Sequence, residues 1–437
     1  MKYNYEYIKK LGCDLMNNIL NIDICNGISF SHIKSSKFKT AELSVTFFIP
    51  LDKKFVSGFS VLISVLSDSC KKFKNFQDLN KYTEDLYGAC IDYCVSKIGE
   101  YQVLELFVSA LDDRFTINNE KNIDKMADVL CDLIFDPLVE NNKFDENVVS
   151  KRKSEINELI DERISDKRIW SKFRCIQLMF ENEKSGIDKF GEKSDVDSLN
   201  SSSLFDFYKK LLKESRIKIM MVSNSDCSSV VDKFKAKFKD IDRKTFEFES
   251  CDSRVPSNIR SFSDKMNVQQ CKLVMGFRTP FIKPTKDTHA MNLACSIFGR
   301  LPTSRLFMSV REKLNLCYYC SSNFDSSTGA LFVESGVETA NVEKAKEEIL
   351  KQLKIISETL ITDDELSDSK KFFIQSAISV SDNINNLHNW YLLQYPFNKF
   401  ESPEEFAQLI SKVSKQDIMN CMSQVKLDTV YILKGDE

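Results

Sequence analysis

The 437-residue sequence predicts an α+β fold of two duplicated domains, each a mostly antiparallel sheet with helices packed on one face. Three features predict it. An alternating segment, Leu43, Val45, Phe47 and Ile49, runs directly into the apolar segment "GFSVLISVLSDSC" at 58–70. A period of two that gives way to a period of 3.6 reads as a strand followed by a helix. A shift of 219 residues lays the apolar stripe of one amphipathic helix on that of another. Each half then closes on a strand, "RIKIMMVSNSD" at 216–226 and "DTVYILKGDE" at 428–437.

The first helix is apolar throughout, with Val61, Leu62, Val65 and Leu66 at helical spacing and no His, Glu or Lys. The short run Lys71, Lys72, Lys74 after it reads as a solvated helix end. In "NIDKMADVLCDLIFDPL", Ile123, Met126, Leu130 and Ile134 share one face. The 219-residue shift carries them to Val342, Ala345, Ile349 and Leu353, and carries Asp145-Glu146 to Asp364-Glu365. "VLELFVSA" answers "GALFVESG" at a slightly different offset, as a changed loop length would produce. The polar stretch "DRKTFEFESCDSRVPSNIRSFSDK" has little periodicity and reads as a linker. The expected division is therefore 1–226, a linker at 227–264, and 265–437.

Composition excludes several classes. Basic and acidic side chains number 61 and 64, for a net charge of −3. They are mixed along the chain, without the basic stripe of a nucleic-acid binder. The N-terminal "MKYNYEYIKKLGCDLMNNIL" is polar where a secretion signal would be apolar. No apolar run approaches bilayer length, so no membrane role is expected. Fourteen cysteines without a secretion signal point to a reducing, cytoplasmic setting and structural thiols. Cys317 and Cys320 have CxxC spacing, but in a strand residues three apart point to opposite faces. Cys70, Cys90 and Cys94 lack a nearby His to act as base. His32, His289 and His388 are far apart in sequence and read as surface or packing residues.

The passage "GRLPTSRLFMSVREKLNLCYYCSSNFDSSTGALFVESGVE", with "ITDDELSDSKK" further on, resembles the C-terminal domain of insulinase/pitrilysin-type zinc peptidases, the inverzincins that carry HxxEH. The resemblance extends over nearly the whole chain and implies one half of a clamshell. It implies further that the metal motif should follow Gly58. There the first His position holds Val61, the general-base Glu position holds Ser64, and the second His position holds Val65. The later acidic ligand corresponds to Glu158. Valine has no lone pair to donate, and one carboxylate does not hold zinc. The chain is thus expected to bind no metal and not to be an enzyme on its own.

Arg311 and Tyr318, in "REKLNLCY", match an Arg/Tyr pair that the family's C-terminal domain extends toward a peptide bound at another domain's zinc. Such donors stabilise the oxyanion formed as water attacks the scissile carbonyl. The resemblance therefore implies the non-catalytic subunit of a heterodimeric peptidase, acting in trans on a partner that carries HxxEH and the zinc. The expected substrate is an unfolded peptide, and the family's peptide-binding edge strand corresponds to "GACIDYCVSKIG". Within the family the chain looks most like the short bacterial zinc-less members associated with elongation factor P modification. A purely structural scaffold or peptide-binding subunit of a larger complex, without proteolysis, is the alternative.

Overall fold

The computed structural model describes residues 19–249, 251 and 258–435. Most of the polar N-terminal stretch, residues 252–257 of the expected linker and the last two residues of the closing strand lie outside them. The chain forms two compact units. The first is made from the described parts of 1–160, 188–248 and 379–404, the second from those of 161–187, 249–378 and 405–437.

The first unit is built on a six-stranded sheet. Its strands are β1 (Ile19–Cys25), β2 (Ile28–Lys34), β3 (Thr40–Pro50), β4 (Cys90–Ile98), β5 (Tyr101–Leu111) and β6 (Arg216–Ser223), in the order β1-β2-β6-β3-β5-β4. Only the β2–β6 pairing is parallel. Alternation along β3 sends Leu43, Val45, Phe47 and Ile49 into one core, as the period of two predicts. Helix α1 (Val56–Leu66) and the helix Asn122–Phe135 supply much of that core, the latter through Ile123, Met126, Leu130 and Ile134.

The second unit holds a five-stranded sheet of β7 (Arg260–Lys265), β8 (Cys271–Arg278), β9 (Cys317–Asp325), β10 (Ala330–Val337) and β11 (Lys426–Lys434), ordered β9-β10-β8-β11-β7. Here only β7–β11 is parallel. Val342, Ala345, Ile349 and Leu353 of the helix Val342–Glu358 are buried in its core, as their spacing predicts. Among the described residues, β4 forms one edge of the first sheet and β9 one edge of the second, each the first strand of a hairpin and without a strand on its outer side.

In both units the sheet face away from this core is also covered, by a helix that sequence order would assign to the other half. Helix α2 (Glu146–Ser165) carries the chain out of the first unit. The next helix, α3 (Lys167–Met179), lies on β8 and β11, with Cys175 and Met179 packed against Val274, Phe332 and Tyr431. Its close approach depends on Gly276, where a Cβ would stand 2.7 Å from Met179 Sδ. Helix α4 (Ile384–Leu392) lies on β3 and β6 of the first unit, burying Leu387, Tyr391 and Leu392 against Phe48 and Met220.

Two local readings change. Residues 228–238, expected within the linker, form a helix that buries Val230, Val231, Phe234 and Phe238. The run 71–74 is a bend rather than a helix end, and Lys72 Nζ reaches Asp132 Oδ2 at 3.2 Å.

All eleven residues of α1 are buried. A Cβ at Gly58 would lie 2.3 Å from ring atoms of Phe207, whose ring is also edge-on to Phe59 at 5.3 Å. Gly58→Ala must therefore displace the Phe207 ring or α1 itself. Overpacking of this kind costs about 1–3 kcal/mol, and the expected result is a lower denaturant midpoint at unchanged m-value.

Candidate functional site

The positions that the resemblance aligns with a metal site lie on α1. Val61 and Ser64 are fully buried and Val65 nearly so. Packing each valine here stabilises the unit by about 1.5–3 kcal/mol relative to leaving it exposed. The Ser64 hydroxyl donates to Val61 O at 2.7 Å, the back-bond a serine makes inside a helix. It also makes a hydrogen bond with the Tyr93 phenol, which comes from the edge strand β4. Burial pushes the Tyr93 phenol above its ordinary value, opposed by the nearby Arg152 guanidinium. A phenol and a short hydroxyl are not the imidazole and carboxylate donors that the aligned motif uses for zinc.

Glu158 lies on α2 and is exposed, whereas Arg152 and Ile156 of the same helix are buried. Arg152 Nη2 donates to Asp68 Oδ1 and its Nη1 to Glu155 Oε2, each at 2.7 Å. Beside α1, then, stands a guanidinium held by two carboxylates. Among the described residues no group of three or more His, Cys, Asp or Glu side chains could hold a metal ion.

Arg311 and Tyr318 stand on irregular backbone in the second unit. Arg311 belongs to the π-helical turn Phe307–Lys313, and Tyr318 to the first residues of β9. Left-handed Asn315 turns the chain between them, its N–H donating to Arg311 O at 3.0 Å. Tyr318 is 67% exposed. The Arg311 side chain is 44% exposed, 3.7 Å from Glu312 Oε1 and stacked over Phe307 at 4.7 Å. The expected arginine therefore sits on the rim of its unit rather than in a buried cavity.

A β-bulge between Cys317 and Tyr319 corrects the reading of the CxxC pair. The extra residue, Tyr318, turns outward, so Cys317 and Cys320 both face the core and hydrogen-bond through their thiols. That contact, aided by Ser335 and Arg311 against burial, lowers the Cys317 thiol to about 7. Cys320 is driven the opposite way by the same contact and by burial. Burial alone leads at Cys295 and Cys131, pushed up to about 11 and about 12. None of the described cysteines is in a disulfide.

Of the two readings the sequence offered for the histidines, surface or packing, the structure shows packing. His32, His289 and His388 are all buried, and His388 is hydrogen-bonded to Ser44 on the first unit's sheet. No local signal marks this, because the two residues lie 344 positions apart.

Comparison with known proteins agrees with this geometry. The family profile described as "Peptidase M16 inactive domain" matches residues 198–373. The "Probable inactive metalloprotease YmfF" of Bacillus subtilis is 27% identical over 412 residues, 94% of this chain and 96% of that protein. An "Uncharacterized zinc protease" of Rickettsia felis is 22% identical over 315 residues, 70% of this chain and 73% of that protein. Among solved structures, a conserved protein from Enterococcus faecalis V583 superposes with a TM-score of 0.89 at 22% identity, covering 96% of this chain and 99% of the other. A peptidase M16 inactive domain from Pseudomonas fluorescens gives 0.74 at 12% identity, covering 96% and 99%. These structures share the fold. No helix of the described residues is long and apolar enough to cross a membrane.

Two outcomes follow from the site. Arg152→Ala strands the buried Asp68 carboxylate, and breaking such a pair costs about 3–5 kcal/mol in urea unfolding. Alkylation of Cys317 by iodoacetamide, followed by peptide mass spectrometry, should reach half its maximal rate near pH 7, with Cys295 still rising well above that.

Proposed function

We propose that this chain, which is similar to insulinase-like, M16-type proteins of the zinc-less, non-catalytic kind, is the non-catalytic subunit of a heterodimeric zinc peptidase. The partner supplies HxxEH and the metal-bound water. Arg311 and Tyr318 reach from this chain to the scissile carbonyl of a peptide held at the partner's zinc. The observation that carries this reading is the contrast between the two units. The metal positions on α1 are closed by packing, while Arg311 and Tyr318 stand exposed at the free edge of the second sheet.

The chemistry asks little of this chain. A guanidinium stays charged at any working pH, and a phenol can donate one hydrogen bond. Both strengthen as charge develops on the carbonyl oxygen, which makes them transition-state contacts rather than simple binding contacts. The π-helical turn and the bulge allow both side chains to extend outward from adjoining backbone. The free β4 edge supports a further role in holding an unfolded peptide as an added strand. A cytoplasmic setting fits buried thiols such as Cys70, Cys131 and Cys175, which are not in disulfides. An association with elongation factor P modification comes from the resemblance alone.

The test reconstitutes this chain with its HxxEH-bearing partner. Arg311→Ala should lower peptide turnover by about 10²-fold, the usual cost of one oxyanion donor, with complex formation and zinc content unchanged. Tyr318→Phe should lower kcat more than it raises KM. Unchanged turnover in both variants would leave only a scaffold role.

A further inference from the structure

We propose that α4 and the segment after it, residues 384–404, form a proton-gated strap that is clasped to the first unit's sheet at mildly acidic pH and loosened as pH rises through neutrality. The clasp is His388. Its Nδ1 lies 3.4 Å from Glu42 Oε1, and its Nε2 lies 3.3 Å from Glu105 Oε1 and 2.8 Å from Ser44 Oγ. His388, Glu42 and Glu105 are 1%, 4% and 8% exposed. Each ring nitrogen thus lies within ion-pair reach of a carboxylate oxygen, while the hydrogen bond at Nε2 is made with the Ser44 hydroxyl.

Loss of one proton leaves an uncharged ring beside two buried carboxyl groups. Ser44 can donate to Nε2 in that state, but the positive charge is gone. Two glutamates then share one water-poor site without a cation. Glu42 Oε2 already has no hydrogen-bond partner among the described residues. Burial pushes the Glu42 carboxyl above the usual range, a shift that His388 opposes and Glu105 reinforces. A carboxyl raised in the docked state contributes stability at low pH and loses it as pH rises through its docked value. Glu42 and His388 therefore act in the same direction.

The other groups around the strap do not cancel this. Thr46 donates to Glu105 at 3.3 Å, and Cys94, opposite Glu105 across the β4–β5 ladder, has its thiol pushed up first by burial and then by that carboxylate. Lys218 of β6 lies under Tyr395 and Phe400 of the strap, 5.0 and 5.4 Å from the ring centres, and donates to Ser29 at 3.2 Å. Burial lowers its amine to about 8. A base lowered in this way stabilises docking only as pH climbs from about 8 toward its ordinary value near ~10.4. It leaves the neutral range to His388 and Glu42. The strap's own acids Glu401 and Glu404 are buried as well.

The second unit provides the contrast. Its covering helix, α3, is held by Arg168 and Lys172 on Glu334, at 3.2 and 2.8 Å. Arg278, on the sheet beneath, pairs with Glu183 and Asp428, at 2.6 and 2.8 Å. Two of those three cations are guanidinium groups, which proteins do not deprotonate. Among the described residues, the first unit uses an imidazole at the equivalent task.

Hydrogen exchange of the full chain at about pH 6 and about pH 7.5, corrected for intrinsic rates, tests the proposal by mass spectrometry. Over this interval, peptides spanning 384–392 should lose about tenfold protection, as one linked proton allows, while those spanning 167–179 stay level. Glu42→Gln should flatten the pH response while leaving the strap docked, and His388→Gln should abolish it. Equal protection of 384–392 at both pH values, or an undiminished response in His388→Gln, overturns the proposal. The wild-type comparison with 167–179 decides the matter even if neither variant folds.

Discussion

Everything in the first unit leans on the way α1 is wedged between its sheet and the helix Ser201–Glu214. The wedge is tight enough that Phe207 occupies the space a Cβ would need at Gly58. It is also anchored by polar contacts at its first turn. Gln102 of β5 donates to Val56 O at 3.0 Å and to Lys189 O at 2.8 Å, and Ser60 donates to the same two carbonyls at 3.1 and 2.8 Å. A helix so enclosed has no solvent-facing side on which a metal-bound water could meet a substrate. Catalytic metal sites keep an open position. In this chain the equivalent volume is filled by valine methyls and closed by the Tyr93 phenol.

The same constraint explains the composition of the two covered sheet faces. A sheet with helices on both sides usually buries apolar residues on both. Here the faces under α3 and α4 bury apolar residues and, among them, Glu334 and Asp428 in one unit and Glu42, Glu105 and Lys218 in the other. Buried charges are costly unless paired, so each covering helix is fixed in register by the partners it brings. Hydrophobic contact alone, for instance Leu387 and Tyr391 on Phe48, is not directional. The ion pairs supply the direction.

Legibility in the sequence follows the range of the interactions. The stripes Ile123–Met126–Leu130–Ile134 and Val342–Ala345–Ile349–Leu353 were readable because a helix writes its buried face into local spacing. The alternation of β3 was readable for the same reason. The helix at 228–238 carried a usable signal, with Val230, Val231, Phe234 and Phe238 at helical intervals, masked by lysines on its other face. The bulge at Tyr318 left no such mark, since one inserted residue breaks the period of two from which facing is inferred. The exchange of 161–187 and 379–404 between units is likewise invisible, because it rests on contacts hundreds of residues apart. Of the candidate site, residue identities could be read but not the exposure that separates Val61 from Tyr318.

That exposure bears on how the two units divide their labour. A π-helical turn and a β-bulge each forgo regular backbone hydrogen bonding, and both are commoner where side chains must be aimed than where a core must be filled. The second unit places both within a dozen residues, at its free sheet edge. The first unit's α1 is regular from end to end, with every residue buried and no acidic or basic side chain in its first or last turn. Regularity there maximises packing, and irregularity in the second unit costs packing but turns Tyr318 outward and leaves the Arg311 guanidinium uncovered. A chain in which only packing mattered would have no physical use for the second arrangement. The energetic asymmetry therefore lies in exposure: α1 closes its side chains into the core, and this edge leaves Tyr318 and Arg311 in contact with solvent.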